Sequence, residues 1–143
     1  MLPQANNRER LGSLLAALDA SPVALRRDLH REEGHKGDYS IQGKCGHIYL
    51  DGEGFLLCVT AKDERDKSPR RWTSTKRRLA FCRITQDGDE EGCLHLDRPP
   101  TPAQAGLIRQ ALGIRKRRTL TEDGRAQLDA ARNLLIGPLT AAH

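Results

Sequence analysis

The chain has 143 residues, 37% hydrophobic and 30% charged, with a net charge of +5 and a pI near 9.3. That length suits one domain around one core, and the positive balance favours anionic partners without bearing on the fold. The opening MLPQANNRERLG lacks the apolar stretch of a secretory signal, and no apolar run approaches the ~20 residues of a membrane span. A cytoplasmic protein with no membrane partner is the expectation.

Leu11, Leu14, Leu15 and Leu18 recur at i, i+3, i+4 and i+7, which predicts a first helix with one apolar stripe, capped by Asn6 or Asn7. Ser21-Pro22 reads as a cap followed by a first-turn proline, and predicts a second helix over about 22–32 seamed by Leu25 and Leu29. The periodicity then changes. Asp38–Leu50 alternates, Asp51-Gly52-Glu53-Gly54 supplies turn residues, and Phe55–Thr60 is rich in strand formers, which predicts a hairpin. Pairing Leu50 with Phe55 sets Ile48 opposite Leu57 and His47 opposite Cys58.

Lys62–Arg71 reads as a charged loop, with strand character at Trp72–Thr75 and Leu79–Thr85. The acidic turn Gln86–Gly92 leads into a last strand, Cys93–Asp97, and Arg98-Pro99-Pro100 ends the sheet. Thr101-Pro102-Ala103-Gln104 carries the capping-box pattern, with Leu107, Ile108, Ala111 and Leu112 as the apolar face and Gly113 as the stop. A final helix follows near Thr121–Leu135. The expected fold is one α+β domain over 1–143: helices at about 7–32, a four-stranded antiparallel meander at about 38–98, and helices at about 102–136.

Two basic clusters are the functional signal. Lys62–Arg78 holds eight basic residues against three acids. Arg70, Arg71, Lys76, Arg77 and Arg78 would contact phosphates, the hydroxyls of Thr73–Thr75 would hydrogen-bond, and Trp72 would stack or wedge. Arg115, Lys116, Arg117 and Arg118 form the second cluster, which would extend the footprint. The run Ala105–Leu120 matches a helix-turn-helix poorly, and a helix-loop-helix with a basic loop fits better.

These clusters predict a nucleic-acid-binding accessory or regulatory protein, DNA or RNA. The alternative is a protein-interaction module, such as a small inhibitor or antiactivator from a mobile element, that sets Trp72 and the arginines against an acidic protein surface. The bland reading of Lys62–Arg78 is a mobile, solvated β-loop whose tryptophan folds back onto the core.

Other chemistry lacks a matching arrangement of residues. Cys45-Gly46-His47 and Cys93-Leu94-His95 are both Cys-x-His, so each pair shares a strand face. In a simple meander their strands are first and fourth, roughly 14 Å apart, too far for one tetrahedral zinc ion. The turn Asp87–Glu91 lacks the ligand spacing of a calcium loop. No oxyanion-hole pattern or glycine-rich phosphate loop accompanies any cysteine–histidine pair, so no catalytic residue and no cofactor is expected. The four cysteines read as thiols.

The segments GKCGHIYLDGEGFLLCVT (43–60), RRWTSTKRRLAFCRITQDGDEEGCLHLDR (70–98) and PAQAGLIRQALGIRKRR (102–118) are similar to a group of short uncharacterised bacterial proteins often encountered on plasmids and other mobile elements. The resemblance spans about Gly43–Arg118. It implies a bacterial cytoplasm and a link to mobile DNA, and it carries no activity and no residue roles.

Overall fold

The computed structural model describes residues 3–27, 38–118 and 126–132. Helix α1 (Pro3–Ala17) buries Leu11, Leu14 and Leu15, and Leu18 just beyond it is fully buried too. Each such leucine contributes about 1.5–3 kcal/mol relative to an exposed one. Asn7 sits inside this helix and does not cap it; its Oδ1 accepts the Tyr39 backbone N–H at 2.8 Å and ties the helix to the sheet. Asp19, in the left-handed region with φ of 51°, turns the chain away.

Ser21-Pro22 does not start a second helix. The Ser21 side chain makes no cap hydrogen bond, and Pro22–Ala24 forms a single 3-10 turn before β1 (Leu25–Arg27). Leu25 pairs with Ile41 in the sheet, and that pairing outweighs the local helix signal. Residues 28–37, and with them the remainder of the expected second helix and Leu29, lie outside the described residues.

The sheet has six strands, not four: β1, β2 (Tyr39–Gly43), β3 (Gly46–Asp51), β4 (Gly54–Val59), β5 (Arg83–Asp87) and β6 (Gly92–Leu96), all antiparallel, in the order β1-β2-β3-β4-β6-β5. The stretch expected as one strand breaks at Lys44-Cys45. There Lys44 N–H and Cys45 N–H donate to the Gly113 and Leu112 carbonyls, and Gly46 takes φ of 149°. The β3–β4 hairpin has the expected register, with Leu50 opposite Phe55, Ile48 opposite Leu57 and His47 opposite Cys58.

Trp72–Thr75 is not a strand either. It belongs to helix α2 (Pro69–Arg78), which bridges β4 and β5. Helix α3 (Pro102–Leu112) carries the complete capping box of Thr101 and Gln104 and ends on Gly113 in the left-handed conformation. Residues 126–132 are helical with exposed side chains; the rest of the expected last helix lies outside the described residues.

The register divides the sheet into two faces. Leu25, Ile41, Ile48, Leu57, Leu94 and Ile84 form one row across all six strands, and the inner four are fully buried. The helices cover this face. Leu112 of α3 lies against Gly43 and Gly46, and Trp72 of α2 lies against Gly92. The opposite face carries a polar row of Gln42, His47, Cys58, Cys93 and Gln86. Among the described residues no helix is long and apolar enough to cross a membrane.

Candidate nucleic-acid interface

Helix α2 forms because Ser68 caps it, its Oγ accepting the Arg71 N–H at 3.2 Å, and Pro69 occupies the first turn without losing a needed donor. Trp72, Thr75 and Leu79 fall on one stripe and are buried. That spacing turns Arg70, Thr73, Arg77 and Arg78 outward, with Arg71 and Ser74 half-buried at the margin.

Among the described residues no carboxylate lies within ion-pair distance of Arg70, Arg71, Arg77 or Arg78. The first turn contains no acid. Arg70 and Arg71 therefore stand at the positive end of the helix dipole without compensation, where an anion is favoured. Arg77 and Arg78 stand at the end where cations are favoured.

Two residues expected at the phosphates are otherwise engaged. Trp72 is 2% exposed, so its ring offers no stacking face. Its Nε1–H donates to Asp87 Oδ1 at 2.7 Å. Lys76 Nζ donates to the same oxygen at 2.9 Å and lies 5.4 Å from the Trp72 ring centroid. The bond from Lys76, then that from Trp72, holds the Asp87 carboxyl below its usual range. The role of Trp72 is to fix α2 on the sheet, and that of Lys76 is to neutralise Asp87.

The second cluster is extended chain and not a recognition helix. After Gly113 the buried Ile114 anchors the segment, Ser21 N–H donates to the Arg115 carbonyl, and Arg117 N–H donates to the Asp19 carbonyl. Lys116 bridges to Ala20 in antiparallel fashion. Arg115, Lys116, Arg117 and Arg118 are all exposed. Arg115 lines a cleft of about 290 Å³ with Arg26 and Lys44, two cations distant from it in the chain, and among the described residues no carboxylate lines it.

The register relates the two clusters. Gly43, Gly46, Val59, Gly92 and Asp87 form one row at one end of the sheet. The second cluster is anchored near Gly43 and α2 near Gly92, three strand spacings or roughly 14 Å apart. Ile114 and Trp72 both pack on the helix-covered face at that end, whereas the cleft of Arg115 also takes in Arg26 and Gln42, which the register turns to the opposite face.

The cysteine–histidine pairs do not converge. Cys45 lies in the β2–β3 turn, and β4 separates His47 on β3 from Cys93 and His95 on β6. His95 is buried, with Nε2 3.2 Å from the Asp51 carbonyl oxygen. Asp97 Oδ1 lies 2.7 Å from its Nδ1 but is not aligned as a hydrogen bond. Among the described residues no three histidine, cysteine or carboxylate side chains are placed to hold a metal ion.

No protein-family model matches the chain, and no curated protein or solved structure is significantly similar to it.

Proposed function

We propose that this protein is a non-catalytic nucleic-acid-binding module, an accessory or regulatory protein, that grips the phosphate backbone with the outward face of α2. One observation carries the reading: four arginines on a single helix without a carboxylate partner among the described residues. Guanidinium groups suit phosphate because their forked donors match its oxygens, and Thr73 and Ser74 add hydroxyl donors between them. The Arg26–Lys44–Arg115 cleft is a second, separate place for a phosphate. With Trp72 buried, contact through charge leaves little basis for base recognition, so binding is weakly sequence-dependent.

The test is titration of labelled mixed-sequence DNA and RNA at low salt. Binding that weakens linearly in log–log form as salt rises supports the reading. No binding at low salt overturns it. Nuclease-resistant co-purification with an acidic protein, in place of nucleic acid, would assign the arginine face to a protein partner.

A further inference from the structure

The polar face of the sheet brings together two thiols that are far apart in sequence. Cys58 on β4 is the direct cross-strand partner of Cys93 on β6, and their Sγ atoms are 3.5 Å apart. Both side chains are half-buried and line a cleft of about 480 Å³ that also includes Thr60, Gln86, Asp87 and Glu91. Gln86 Oε1 lies 3.3 Å from Cys93 Sγ, and His47 stands opposite Cys58 on the other side. None of the four cysteines is in a disulfide.

We propose that Cys58 and Cys93 form a redox-convertible dithiol, a modification site that takes a small-molecule disulfide of the glutathione class. Directly opposed residues of antiparallel strands have Cα atoms about 4.5–5.5 Å apart, inside the range that a disulfide spans. Their Cβ atoms, about 4.5–5.5 Å apart, sit at or beyond the upper end of disulfide spacing. The bridge therefore forms with little backbone movement but under strain, and strained bridges are the readily reduced ones.

The steps balance. One thiolate attacks glutathione disulfide, forming a mixed disulfide and expelling one glutathione thiolate. The neighbouring thiolate then attacks the protein sulfur of that mixed disulfide and expels the second. The protein dithiol is oxidised by two electrons, and one glutathione disulfide is reduced to two glutathiones. The bridge closes a loop with a separation of 35 residues that contains all of α2.

The other two thiols differ in kind. Cys45 sits in the β2–β3 turn, and Cys82 is buried at 8% exposure.

The experiment incubates the full-length folded chain in buffers of graded reduced and oxidised glutathione, quenches with acid, alkylates remaining thiols and maps cross-links by mass spectrometry. The expected product is one intramolecular bridge between the peptides holding Cys58 and Cys93, lighter by two hydrogen atoms and reversed by reduced glutathione. Cys58→Ser and Cys93→Ser each stop at a glutathione adduct on the surviving thiol, while Cys45→Ser leaves the bridge intact. The wild-type map needs no variant to fold. Four thiols persisting across the whole glutathione range would overturn the proposal, as would bridges through Cys45 or Cys82, or only mixed or intermolecular disulfides.

Discussion

Asp87 Oδ1 accepts hydrogen bonds from Trp72 Nε1 at 2.7 Å and from Lys76 Nζ at 2.9 Å, so one carboxylate oxygen on β5 holds two consecutive turns of α2 against the sheet. This contact decides which side of α2 faces solvent, because the stripe carrying Trp72 must face Gly92 and β5. The arginines are left outside as a consequence.

The Asp87 carboxyl is held below its ordinary value, chiefly by Lys76 and then by the indole. A depressed carboxylate contributes stability that is present above the unfolded value and lost as pH falls through the folded one. Melting temperature should therefore decline as pH drops below the ordinary aspartate range. Asp87→Asn, which keeps an acceptor for the indole and removes the charge facing Lys76, should flatten that decline. Thermal melts of both proteins across acidic pH check this.

Trp72 is the single tryptophan, and its burial predicts a blue-shifted emission that moves red on unfolding. Nucleic acid should leave that emission largely unquenched, because the ring is not available for stacking. Trp72→Ala should cost about 3–5 kcal/mol in a denaturant titration, the range for truncating a large aromatic core residue.

Gly92 provides the floor beneath that ring. A Cβ there would collide with the Gln86 carbonyl oxygen and the Trp72 ring. Gly92→Ala should destabilise by about 1–3 kcal/mol through overpacking, measured by the same titration. Gly12→Ala in α1, where a Cβ meets nothing within 4 Å, should be neutral or stabilising.

Burial, followed by the nearby Asp97 charge, pushes the Cys82 thiol up to about 12 from an ordinary 9.0. Between those values the unfolded chain releases this proton while the folded chain keeps it, so rising pH favours unfolding. The same shift predicts that Cys82 is the last of the four cysteines to be alkylated at neutral pH, as followed by peptide mass mapping.

The β3–β4 hairpin was legible because its turn residues and two-residue alternation agree. The pairing of β4 with β6 was not legible, because it shows in burial and not in local alternation. Arg83–Asp87 is exposed throughout, as an edge strand is, whereas Leu94, His95 and Leu96 are buried, as an inner strand requires. That inversion of chain order sets Cys58 beside Cys93.

A hydroxyl residue followed by proline occurs at Ser21, Ser68 and Thr101. It starts a helix at the second and third, where the side chain caps, and only one 3-10 turn at the first, where sheet pairing of Leu25 prevails. The helical spacing of Trp72, Thr75 and Leu79 was available in the sequence, but the threonines around Trp72 read locally as strand formers. The basic clusters were visible from composition, whereas the burial of Trp72 and the joining of Arg26 and Lys44 to Arg115 depend on tertiary contacts.

The most direct measurement compares the salt dependence of duplex DNA binding by the wild type and by Arg70→Gln/Arg77→Gln, two exposed positions whose loss leaves the core untouched. If each arginine neutralises one phosphate, the magnitude of the log–log slope should fall by roughly 2, since each contact contributes about 0.9. Circular dichroism should stay unchanged. An identical slope and affinity in the two proteins would contradict the assignment of α2 as the phosphate-binding element.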